Sequence, residues 1–169
     1  MRNTILICLS LATSSLSAEM IGDVEYHLPN QGKGWKLEKQ ISDTPKQVGE
    51  TVIYLPENAT TDDSKEFFGV NVNKYTVDLN DNAAIQKGIQ DQFPDQKVTI
   101  NMLDKNSESI LFEWTVTENG KEQLHGWTRA FSVPKETVML TYLTDQIDTI
   151  KDVSPRWIET LKQAKKVQK

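Results

Sequence analysis

Cysteine is nearly missing from this 169-residue chain: its one thiol is Cys8. That residue lies in a short apolar stretch, Ile5 to Leu11, preceded by Arg2 and followed by Thr13, Ser14, Ser15 and Ser17. A short positive start, a brief apolar core and small polar residues make a secretory signal peptide. Cleavage is expected after Ala18, leaving 19–169 as a single exported domain, periplasmic or secreted. The apolar run falls far short of the ~20 residues that cross a bilayer, so no integral membrane segment is expected in the mature chain. Cys8 is not a lipoprotein cysteine, because Ile7 is not small and the position is too near the start. The exported chain then holds no thiol, which excludes disulfides, cysteine nucleophiles, thiolate metal sites and thiol redox chemistry.

Histidine is equally scarce, with only His27 and His125. Two histidines without cysteine do not build a usual zinc site unless several carboxylates join them. Positive charge is in the minority, 19 Lys and Arg against 24 Asp and Glu, for a net charge of −5. An acidic chain lacks the basic surface that displaces counterions from nucleic acid, so no nucleic-acid partner is expected. It also lacks a polybasic membrane-binding surface. There is no phosphate loop, no Gly-x-Ser-x-Gly elbow and no His-Glu-x-x-His helix. No cofactor, no metal and no catalytic residue is expected on these grounds.

What is present is a soluble globular composition with clear periodicities. Val24–Leu28, Trp35–Ile41, Thr51–Leu55 and Phe67–Val77 read as strands, the last with Phe68, Val70 and Val72 on one face. Pro29, Pro45 and Pro56 end the first three. The period then changes: Ile85, Ile89 and Phe93 form a helical stripe, with Asn80 as N-cap and Pro94 as stop. Four strands follow, Lys97–Asp104, Ser109–Glu118, Lys121–Ser132 and Thr137–Thr144. Ser154-Pro155 is expected to open a second helix, with Trp157, Ile158, Leu161 and Ala164 inward and Lys162, Lys165 and Lys166 in its last turn. The order predicts an α+β fold, an antiparallel β-sheet of about six to seven strands flanked by helices.

Leu28-Pro29…Gly34-Trp35, the mid-chain helix, the meander ending Trp127-Thr128-Arg129-Ala130-Phe131 and the closing Trp157 helix span essentially the whole mature chain. In this order they resemble the fold shared by Mog-type Ran-binding proteins, photosystem II PsbP proteins and bacterial DcrB-like domains of unknown function. The resemblance implies a Mog/PsbP-like α/β/α sandwich. It implies no single activity, since these families do not share one. The acidic, cysteine-free exported chain also resembles small type II secretion substrates of Gram-negative pathogens.

Asn119-Gly120 predicts a two-residue type I′ hairpin turn, because both positions need positive φ. A regular ladder from that turn pairs Val116 with Gln123, Trp114 with His125, Phe112 with Trp127 and Ile110 with Arg129. Ile110, Phe112, Trp114, Trp127 and Phe131 would then share a bulky face. Thr115, Gly126, Thr128 and Ala130 would form a small-residue face, with the Trp157 helix against it. Val98, Ile100 and Met102 should share the face of Ile110, Phe112 and Trp114. That parity requires a bulged connection of three or five residues near Lys105–Ser107.

The candidate ligand-binding residues follow from this register: Trp114, His125, Trp127 and Arg129. Arginine is unusual on a core face and must find a carboxylate or solvent. It either forms a structural ion pair or lines a cleft that holds an anionic or polar ligand against indole faces. His27 should point outward as an ordinary surface residue. Asp62, Asp63 and Glu66 lack the spacing of a calcium loop and read as a solvated loop. Asn58-Ala59-Thr60 matches a glycosylation acceptor that has no meaning behind a bacterial leader. The expected function is a monomeric, non-catalytic binding domain for a protein or small polar ligand, in the setting of exported virulence-associated proteins. The alternative is a small extracytoplasmic hydrolase using His125 with a nearby carboxylate.

Overall fold

The computed structural model describes residues 18–41 and 48–167; the leader expected over 1–18 lies outside them except for Ala18. The strands are β1 (Glu19–Ile21), β2 (Val24–Tyr26), β3 (Trp35–Ile41), β4 (Val48–Pro56), β5 (Glu66–Asn73), β6 (Lys97–Lys105), β7 (Ser109–Glu118), β8 (Lys121–Val133), β9 (Glu136–Thr144) and β10 (Lys165–Lys166). The helices are α1 (Asn82–Gln90) and α2 (Ile150–Gln163). Seven strands form one antiparallel sheet in the order β3-β4-β5-β9-β8-β7-β6. β1, β2 and β10 form a second, three-stranded sheet. The architecture is the expected α+β class.

Each face of the large sheet has its own core. Phe68, Val70 and Val72 do share a face, paired with Tyr142, Leu140 and Val138. They join Trp127, Phe131, Trp157 and Leu161, and the small sheet adds Ile21, Val24 and Tyr26. On the other face Val98, Ile110, Phe112, Trp114, Val116 and Ala130 pack with Ile85 and Ile89 of α1. Asp81, not Asn80, caps α1: its carboxylate accepts from the Ala84 amide at 2.9 Å.

The second helix corrects the sequence reading. It begins at Ile150, and Pro155 lies inside it. A proline there removes one backbone bond and costs about 3 kcal/mol. The apolar stripe continues backward through Val153 and Ile150, both packed on the core, and this offsets the loss. At the other end only Lys162 stays in the last turn. Lys165 and Lys166 leave the helix as β10 and pair with Glu25 and Val24.

The Asn119-Gly120 turn forms as expected, with φ of 50° and 77° and Glu118 paired with Lys121. The ladder beyond it does not. Thr117 pairs with Glu122 but Val116 pairs with Leu124, so Gln123 is an extra residue, a bulge. Trp114 therefore faces Gly126 rather than His125, Phe112 faces Thr128 and Ile110 faces Ala130. The bulge lets both strands contribute large residues to separate cores, β8 through Trp127 and Phe131, β7 through Ile110, Phe112 and Trp114. Gly126, Thr128 and Ala130 make room for the β7 side chains opposite them, and α1 packs chiefly at the β6 end of this face. The Trp157 helix packs instead on the Trp127 face, which overturns its expected position.

The face assignment for β6 holds: Val98, Ile100 and Met102 pair with Val116, Trp114 and Phe112. The parity comes from the bulge at Leu103 within β6 and not from an odd loop, since the last pair is Lys105 with Ile110 and an even number of residues, 106–109, lies between them. β3 carries a similar bulge at Glu38.

Candidate functional site

The corrected register divides the four candidate residues. His125, Trp127 and Arg129 stay together on the α2 face, whereas Trp114 stands on the α1 face. The first three are tightly engaged. Arg129 is buried, donates to Asp104 Oδ2 at 2.8 Å and to Ser109 Oγ at 2.7 Å, and lies 5.5 Å from the Phe131 ring centroid. Asp104 in turn is held below the ordinary carboxylate range, chiefly by the hydrogen bond from Arg129. This is the structural ion pair.

His125 is clamped between two carboxylates, Glu122 at 2.6 Å from Nδ1 and Glu113 at 2.8 Å from Nε2. In a regular strand residues 122 and 125 would point to opposite faces. The Gln123 bulge brings them to the same one. A histidine with carboxylates is what a hydrolase would need. Here both ring nitrogens already lie at hydrogen-bond distance from those carboxylates. Trp127 lies 4.4 Å from the His125 ring and continues into an aromatic stack through Tyr142 and Trp157.

His27 is partly exposed, with Nε2 3.6 Å from Glu25. In the acidic loop Asp63 accepts from the Thr60 amide and hydroxyl, and these bonds, the amide first, hold its carboxyl below the ordinary range. Glu66 accepts from the Tyr142 hydroxyl at 2.5 Å. Among the described residues no group of three His, Cys, Asp or Glu side chains could hold a metal ion.

Trp114 belongs to a concave site that the strand pattern did not reveal. α1 has only 9 residues, about 14 Å of helix, and covers one end of a seven-stranded face. Beside it a groove runs over β5, β9 and β8, with two joined cavities of about 390 and 480 Å³. Both touch Tyr75, Ile89, Gln92 and Met139. Phe67, Phe93, Trp114 and Leu143 wall the larger cavity, and Asn71, Asn73, Thr128 and Thr141 form its floor. Phe67 and Tyr75 are 36% and 48% exposed at the rim.

The floor follows from the strand register. The same alternation that turns Phe68, Val70 and Val72 into the α2 core turns Phe67, Gly69, Asn71 and Asn73 toward the groove. A Cβ on Gly69 would sit 3.7 Å from the Phe67 ring and 4.0 Å from the Asn71 amide nitrogen, so this glycine is the low point between them. The segment beyond β5 is fixed by Thr137, whose hydroxyl accepts from the Val77 amide at 2.9 Å and donates to the Tyr75 carbonyl at 3.1 Å. Gln90 secures the far end of α1, donating to the Phe93 and Gln96 carbonyls, both at 2.7 Å, and accepting from the Val98 amide at 3.1 Å. The readable signal was the composition of the outward row on β5: amides and a phenyl ring where a solvated face usually carries charge.

No family model and no curated protein matches the chain. Among solved structures it is similar to cyanobacterial PsbP (CyanoP) from Synechocystis sp. PCC 6803, with a TM-score of 0.60 at 14% identity, over 85% of this chain and 86% of that one. It is also similar to LpqN, involved in cell envelope biogenesis of Mycobacterium tuberculosis, with a TM-score of 0.50 at 13% identity, over 86% of this chain and 83% of that one. At these identities the likeness is one of fold: the chain has the PsbP-like fold.

Proposed function

We propose that this protein is an exported, monomeric, non-catalytic binding domain whose ligand lies in the groove between α1 and strands β5, β9 and β8. The observation that carries this reading is the lining of the groove, with half-exposed aromatic rings over a floor of buried and partly buried amides and hydroxyls. Such a concave site with a few placed polar groups is the usual form of a ligand pocket. Of the four residues singled out in the sequence, Trp114 is the binding residue, while His125, Trp127 and Arg129 are the scaffold behind it.

Export is supported by the leader pattern over 1–18, and an envelope setting by the fold likeness to LpqN. No helix among the described residues is long and apolar enough to cross a membrane. Release by type II secretion belongs to the same reading and rests on composition alone. The binding site is tested by mapping amide chemical shifts of the 19–169 domain against a library of small polar and aromatic compounds. Perturbations clustered on Asn71, Tyr75, Ile89 and Thr141 support the groove. A cluster around His125 and Arg129 would overturn it. Fractionation of cells expressing the full chain tests export, with the processed form expected outside the cytoplasm.

A further inference from the structure

Within that groove the kind of ligand is written in what lines it. The chain is 25% charged, yet no charged residue lines the larger cavity, and Asp78 is the one charged residue lining the smaller. A carboxylate, phosphate or ammonium entering here would lose its hydration without gaining a counter-charge. The floor, however, is not inert. Asn73 is nine-tenths buried, and its amide donates to the Met139 thioether at 3.2 Å, a weak acceptor. The Asn71 amide has no hydrogen-bond partner among the described residues and opens into the same space.

A third polar group is primed through a relay. The Trp114 indole N–H donates to Thr128 Oγ at 3.1 Å, and the Thr128 and Thr141 hydroxyls lie 3.0 Å apart. An indole only donates, so Thr128 accepts from it and can pass its own hydrogen to Thr141. The Thr141 hydrogen is then left to point into the groove. The site thus offers uncharged amide and hydroxyl groups below, with the Phe67, Tyr75 and Phe93 rings at its sides.

We propose that the groove binds a neutral oligosaccharide, with ring C–H faces against Phe67 and Tyr75 and hydroxyls bonded to Asn71, Asn73 and Thr141. A purely aliphatic chain fits the walls but would bury the amides without partners, at about 1–3 kcal/mol for each. A sugar satisfies both surfaces. This inference rests on the groove reading above and specifies its ligand.

Trp114 supplies the probe, because Trp127 and Trp157 are in the opposite core and Trp35 packs edge-on against Trp157. Maltohexaose, chitohexaose, hexagalacturonate and 1-dodecanol are titrated into the 19–169 domain, followed by tryptophan emission and calorimetry. A neutral hexamer should bind with a Kd of about 1 mM or tighter. The affinity should not change with salt, since no charge pair is formed. Asn71→Ala and Tyr75→Ala should each weaken binding about tenfold while leaving the melting temperature within about 2 °C. Trp114→Phe should remove the emission change and, because the indole N–H that orients the Thr128–Thr141 pair is lost, should also reduce the heat signal.

Tighter binding of hexagalacturonate, or binding of 1-dodecanol alone, would overturn the saccharide while leaving the groove as the site. Undiminished saccharide binding by both alanine variants would place the sugar elsewhere and overturn the proposal. If none of the four compounds binds and the shift-mapping library also leaves the groove untouched, the saccharide and the groove reading both fall.

Discussion

The indole of Trp114 occupies the space that a side chain at residue 126 would need. A Cβ on Gly126 would overlap the Trp114 ring, with Cζ2 at 2.5 Å and Nε1 at 2.8 Å. The glycine is required for its lack of volume. Gly126→Ala should therefore destabilise the domain by about 2–3 kcal/mol through overpacking, as measured by urea denaturation. Placed in a Trp114→Phe background, the same change should cost clearly less, since the neighbours couple. Equal costs in the two backgrounds would show that the ring simply moves aside.

The Arg129–Asp104 pair predicts acid sensitivity. The Asp104 carboxyl is held below its ordinary value of 3.8, first by the Arg129 hydrogen bond. The unfolded chain then binds more protons than the folded one as pH falls through this range. Its contribution is present above the ordinary value and is lost as pH drops toward the folded one. Asp104→Asn should lower stability near neutral pH and flatten the acid limb of a stability–pH curve. An acid limb as steep as that of the parent would remove Asp104 from the account.

At the alkaline end the buried tyrosines set the limit. Burial, and then the hydrogen bond to Glu66, pushes the Tyr142 phenol well above its ordinary range. Burial, and then contact with Tyr54, does the same for Tyr26, whose hydroxyl lies 3.0 Å from that of Tyr54. The unfolded chain loses these protons first, so stability is complete below about pH 10 and declines above it. Tyr142→Phe should make that decline shallower in urea titrations. A decline unchanged in slope would assign it to other groups.

His125 holds two carboxylates at bonding distance from opposite sides of its ring. His125→Ala would remove the group that bridges Glu113 and Glu122, leaving Glu113, among the described residues, with only the Asn101 amide at 3.4 Å, at a cost of about 2 kcal/mol. Adding Glu113→Gln and Glu122→Gln to that variant should recover much of the loss. Thermal melts of the parent and these two variants decide it, and no recovery would mean that ring packing on Trp127, not hydrogen bonding, holds this residue.

The elements most legible in the sequence are those whose signals are local. β7 was read at its exact bounds, and Phe68, Val70 and Val72 gave the right face of β5, because strict alternation permits one answer. The Asn119-Gly120 turn was equally readable, since its residues tolerate positive φ. The bulge at Gln123 was not, because it is decided by where Trp114 and Trp127 can both be buried, a property of two packed layers. That single extra residue accounts for the split of Trp114 from His125 and for the misplaced Trp157 helix. β1 and β10 are too short to show a period and exist through pairing with β2. The groove is not legible in the sequence because it is made by the shortness of α1, which leaves uncovered strand residues that are merely polar in linear order.

The bulges at Glu38 and Leu103 have one property in common: each lies in an outermost strand of the seven-stranded sheet. An unbroken margin of free amide and carbonyl groups would template a second copy of the chain. An extra residue twists the strand and breaks the spacing that such a template needs. Lys36, Glu38 and Lys39 on one margin and Lys97, Asp104 and Lys105 on the other add charged side chains, which are costly to desolvate in an edge-to-edge contact. The two irregularities that complicate the ladder thus act as stoppers against edge-to-edge strand addition between copies of the chain.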